Sequence, residues 1–129
     1  MIYIIAKKTD WEAALLKGFF ETASLTGKEG FIHASNEDQV VGSANKHFKG
    51  QSGLVLLEVD PAKVKADDLK YENTSGGTAL FPHIYGRLQT AAVKEVYAFP
   101  VKADGTFELP RLKTTSPAKA IKGANVKPC

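Results

Sequence analysis

Cysteine is all but missing from this chain. Its single example, Cys129, is the last of 129 residues. No intrachain disulfide can form, and neither thiolate catalysis nor a cysteine-based zinc site has the residues it needs. The chain also lacks an apolar run of about eighteen residues, the length a membrane-spanning helix requires, so no membrane contact is expected. Its first residues, Met1-Ile2-Tyr3-Ile4-Ile5-Ala6-Lys7-Lys8, do not follow the basic-then-apolar order of a secretory signal. A reducing cytoplasm is the expected location. Neither a glycine-rich phosphate loop nor a dinucleotide fingerprint is present. The three histidines are scattered, and no close pair of them supports a metal site.

What is there suits one soluble domain. The chain is 43% hydrophobic and 24% charged, the balance of an ordinary globular protein. The net charge is +3, and residues 111–129 carry five basic side chains with no acidic one. Residues 1–110 therefore read as a single domain and residues 111–129 as a basic extension. A solvated, partly frayed tail is the plainer reading of that extension, and contact with a phosphate-bearing partner is the other. Without the tail the domain is close to neutral, which argues against a dedicated nucleic-acid binder with a broad basic face.

Periodicity gives an ordered set of expectations. Residues 2–6 are apolar and β-branched, a buried strand. Thr9-Asp10-Trp11-Glu12 has the form of a capping box, opening a helix that places Trp11, Ala14 and Leu15 on one face and ends at Gly18. Residues 19–25 read as either a loop or a short strand, followed by a turn. Phe31-Ile32-His33 is a strand. Ser35 is expected to cap a second helix, with Asp38 near its exposed amides and Val40, Val41, Ala44 and Phe48 buried. Leu54-Val55-Leu56-Leu57-Glu58-Val59 is apolar enough for the centre of a sheet. Leu69-Lys70-Tyr71-Glu72 alternates as a short strand, and a glycine-bearing loop follows it. Proline and glycine are expected to keep Phe81-Pro82-His83 irregular. Residues 92–101 form a late strand with Val93, Val96 and Phe99 inward, before a turn at Asp104-Gly105. Helices gathered early and strands late indicate an α+β fold.

Two segments concentrate chemistry. In Gly30-Phe31-Ile32-His33-Ala34-Ser35 a histidine closes a strand two residues before a hydroxyl, and a helix start there would favour an anion. In Leu80-Phe81-Pro82-His83-Ile84-Tyr85-Gly86-Arg87 an imidazole, a phenol and a guanidinium fall within five residues, and Arg87 could hold a phosphate or carboxylate by two points. We expect the two segments to meet in one cleft. Each has a structural reading as well: a core histidine beside a cap, and a rigid loop with a solvated arginine. Glu58 and Glu72 are both candidates for a general base or a ribose ligand, and Glu72 is the better placed of the two, beside the loop. His47, between Lys46 and Lys49, is expected at the surface.

These segments, together with Leu54-Val55-Leu56-Leu57-Glu58-Val59-Asp60-Pro61 and Tyr71-Glu72 in the same order, resemble the small bacterial family called domain of unknown function 952. The likeness runs from the first residue to about Val101. Members of that family often carry a histidine in the first strand, where this chain has Ile4. The resemblance implies a fold like that of the ADP-ribosyltransferases: a split, mixed or antiparallel sheet with two main helices near the N-terminus and a cleft that holds NAD in active relatives. His33-Ala34-Ser35 is similar to the His-Gly-Ser of poly(ADP-ribose) polymerases, and RNA 2′-phosphotransferases of that fold set histidines and arginines on a phosphate. The resemblance thus implies His33, His83 and Glu72 as catalytic residues, and Ser35, Tyr85 and Arg87 as ligand-binding residues. The ligand would be NAD or a related phosphorylated nucleotide, and the protein either a transferase or a non-catalytic module that kept the cleft.

Overall fold

The fold is that of a computed structural model, which describes residues 1–73 and 76–113. The basic extension beyond Lys113 and the loop residues Thr74 and Ser75 lie outside the described residues. Among the described residues, no helix is long and apolar enough to cross a membrane.

A four-stranded sheet is the centre of the molecule. Its strands are β1 (Ile2–Lys7), β4 (Ser35–Asn36), β5 (Leu54–Val59) and β9 (Val93–Ala98), ordered β4-β1-β5-β9. Every residue of β5 is buried, Glu58 among them, as expected of a largely apolar strand covered on both faces. Alternation along β1 and β5 then builds a core on each side. Ile2, Ile4, Val55 and Leu57 face the first core with Trp11 and Ala14 of α1 (Lys8–Lys17). Tyr3, Leu54 and Leu56 face the second with Val40 and Ala44 of α3 (Val40–His47).

A three-stranded sheet, ordered β3-β7-β6, packs beside the main one; its strands are β3 (Ile32–His33), β6 (Leu69–Glu72) and β7 (Phe81–Ile84). Its Ile32 and Ile84 join the first core. A small pair, β2 (Phe19–Phe20) with β8 (Leu88–Gln89), and a single helical turn, α2 (Ala23–Thr26), complete the elements. All strand pairs are antiparallel. The architecture is α+β with few helices.

Several expectations are corrected. No capping box opens α1: the helix starts at Lys8, whose amide donates to the Gly53 carbonyl at 2.9 Å, so a backbone contact from the neighbouring loop takes the place of a side-chain cap. Leu15 and Leu16 are exposed, Leu16 at 91%, because Trp11 and Ala14 suffice to cover the sheet on that side. Gly18 does close the helix, at φ 87°, donating to the Ala14 carbonyl at 2.8 Å. Residues 81–84 are a regular strand despite Pro82. The Pro82 carbonyl accepts from Ala34 at 3.1 Å, so the one bond that its missing amide cannot make falls where β3 is already ending. Around β9, Phe99 is buried and Val93 packs on the first core as expected. Val96, opposite Leu57, is instead 40% exposed, and Tyr97, opposite Leu56, is buried in the second core; a bulge between Glu58 and Val59 shifts the register.

Candidate functional site

The site forms where the chain changes sheets. β3 ends at His33 and β4 begins at Ser35, so Ala34 alone joins the small sheet to the large one. Ser35 is therefore not a helix cap. It pairs with Tyr3 across β1, and its hydroxyl donates to the Ser43 hydroxyl on α3 at 3.2 Å. The anion site expected at a helix start beside Ser35 has no basis, because α3 begins five residues later, after Gln39.

Register brings the two histidines together. His33 lies directly opposite His83, and Lys70 lies opposite His83 on its other side. Residues two apart on a strand share a face, so Phe31, His33, Glu72, Phe81, His83 and Tyr85 all stand on the face turned away from Ile32 and Ile84. The His33 and His83 rings are 5.7 Å apart, edge to face, and Phe31 stacks on His83 at 4.0 Å. His33 is exposed, with Nε2 at 3.2 Å from Glu29. His83 is only 3% exposed.

His83 is held as one member of a chain of groups. Its Nδ1 donates to Glu72 Oε1 at 2.9 Å, and the Tyr85 hydroxyl donates to the same oxygen at 2.6 Å. With the proton on Nδ1, the lone pair is on Nε2. These two bonds, from Tyr85 first and His83 second, hold the Glu72 carboxyl below its usual range. The same bond from the other side raises the Tyr85 phenol above its usual value, since ionising it would set two anions together.

A cavity of about 580 Å³ opens beside this pair, large enough for a nucleotide-sized ligand. Tyr3 and Ile5 of β1 line it, with Ala34 and Ser35 at the sheet junction and His33, Phe81 and His83 from the small sheet. The opposite wall is α3 and the turn before it: Asp38 comes from the turn, and Gly42, Ser43, Lys46 and His47 from the helix. Among the described residues His83 Nε2 has no hydrogen-bond partner and is not sealed off. His83 itself lines this space.

Not every expected residue arrives. Glu72 and Tyr85 stand behind His83 rather than lining the cavity. Arg87 is elsewhere: it lies over the Phe19 ring at 4.2 Å and donates to Glu21 at 3.2 Å. The break at Gly86 ends the alternation that would have kept it on the site face. Glu58 is fully buried in the second core, where Oε2 accepts from the Tyr3 hydroxyl at 2.9 Å. The α3 wall was missed, although Gly42 and Lys46 are four residues apart and so share one helix face. Among the described residues no group of three or more histidine, cysteine or acidic side chains is placed to hold a metal ion.

The fold has solved counterparts. The X-ray structure of protein CC0527 from Caulobacter crescentus is similar at 38% sequence identity, covering 84% of this chain and 93% of that one, with a TM-score of 0.74. The solution NMR structure of CC0527 matches at a TM-score of 0.70. No curated protein matches the chain. The family model described as "Protein of unknown function (DUF952)" matches residues 5–96, and with most of the chain covered, this protein belongs to the DUF952 family.

Proposed function

We propose that the cavity binds NAD or a related phosphorylated nucleotide, with His83 as the group that meets the reacting or binding atom. The observation that carries this reading is the His83–Glu72–Tyr85 chain. A buried imidazole fixed at Nδ1 by a carboxylate presents Nε2 as an oriented acceptor, the arrangement of a general base. Glu72 then acts through His83 as a positioning residue. Lys46 replaces Arg87 as the cation available to a phosphate, since it lines the cavity and Arg87 does not. The resemblance to the ADP-ribosyltransferase fold supplies the nucleotide class, and a transferase acting on it follows the same analogy.

A second reading, a binding module without chemistry, is favoured by one observation. Glu72 already accepts two hydrogen bonds from protein groups and does not line the cavity, so it is not placed to meet a ribosyl cation.

Titration with NAD, ADP-ribose and a 2′-phosphorylated nucleotide, followed through the His33 and His83 imidazole signals by NMR, tests the proposal. A saturable shift at His83 with one of them is expected. No shift with any of the three removes the nucleotide reading. Nicotinamide release from NAD that vanishes in His83→Ala separates the transferase from the binding module.

A further inference from the structure

Gly42 has no structural reason to be glycine. It lies inside α3, where glycine is the poorest helix former after proline. Its backbone is not among the positive-φ positions, which are Gly18, Gly30, Gly50, Gly53, Gly76 and Gly105. A Cβ built on it would meet nothing within 4 Å, so no neighbour packs against the missing side chain. The open space in front of it is the cavity.

The wall around Gly42 has a polarity. Asp38 lies in the turn that leads into α3, and Lys46 stands one helical turn after Gly42, both on the cavity. A ligand lying along this wall would meet a carboxylate, then bare backbone, then an ammonium. Across the space, His83 is nine-tenths buried and lines the same volume, with Nδ1 taken by Glu72. That is a second sign, independent of the helix, that something occupies it.

We infer that Gly42 is a ligand-contact residue: the sugar–base body of a phosphorylated nucleotide lies against the α3 backbone there, with its phosphate at Lys46 and its hydroxyls toward Asp38. This rests on the nucleotide reading of the cavity. Glycine at 42 trades helix stability for close approach, and any side chain at that position would stand where the ligand lies.

The test uses the full chain with ADP-ribose and NAD as probes, reading the dissociation constant by calorimetry and the melting temperature of the free protein. Gly42→Ala is expected to raise the free protein's melting temperature by about 3–6 °C while weakening binding roughly threefold or more. Gly42→Leu is expected to weaken binding by roughly five- to a hundredfold, with the His83 imidazole signals of the free protein unchanged. Wild-type affinity in Gly42→Leu overturns the inference and leaves the nucleotide reading standing. Should that variant fail to fold, unchanged affinity in Gly42→Ala is decisive against it. Absence of binding to the wild-type protein overturns both.

Discussion

Glu72 illustrates how much one side chain can organise. A single carboxylate oxygen receives both the His83 imidazole and the Tyr85 phenol, which fixes the tautomer of one and the orientation of the other. Its folded pKa lies below the ordinary 4.5. The stabilisation it brings is therefore complete above about pH 4.5 and is lost as pH falls through the lower folded value. Tyr85 works in the opposite direction: its folded pKa lies above 10.0, so its share is present below pH 10 and is lost as pH rises through the folded value. Replacing Glu72 by Gln should flatten the acid limb of a melting-temperature profile and return the Tyr85 phenol toward 10, followed by NMR of its ring. Parallel acid limbs in the two proteins would show that Glu72 is not held as described.

At the scale of elements, the two long helices treat glycine in contrary ways. Gly18 ends α1 in the left-handed region at φ 87°, a conformation that a Cβ disfavours. Gly18→Ala should therefore destabilise the protein by about 1 kcal/mol in chemical denaturation, whereas Gly42→Ala should stabilise it. The same contrast explains what could be read from the chain alone. Gly18 follows a helical stripe and was legible as a stop. Gly42 was not legible as a cavity wall, because the polar face of a helix has the same pattern whether it meets bulk water or a pocket. Ser35 was misread for a related reason. A hydroxyl ahead of a helical pattern signals a cap, and only pairing with Tyr3, a contact distant in sequence, makes it a strand residue. Pro82 likewise signals irregular backbone until the ladder around it is known.

Over the whole molecule, β1 and β5 hold two cores together, one on each face of the main sheet. The largely apolar residues 54–59 announced this centre, with five of the six apolar, as a strand covered on both faces needs. Leu56 and Leu57 point into different cores. Each change to Ala should cost about 2–5 kcal/mol. Because the two faces share one strand, both variants should unfold in a single transition. Trp11 fluorescence and far-UV circular dichroism are expected to give superimposable curves for each. Separated midpoints in Leu56→Ala would mean that the two layers unfold independently. The meeting of His33 and His83 was legible as an expectation from their shared chemistry. That they meet as directly opposed strand residues depends on a register no local pattern encodes.

The placement of the one tryptophan has an optical consequence. Trp11 packs on the first core against Phe20, with the main sheet between it and the Tyr3 and Ile5 side chains that line the cavity. Its emission is thus a beacon for the folded state that is shielded from whatever enters the pocket, and occupancy is better sought in the ultraviolet band of Tyr3, which lines it.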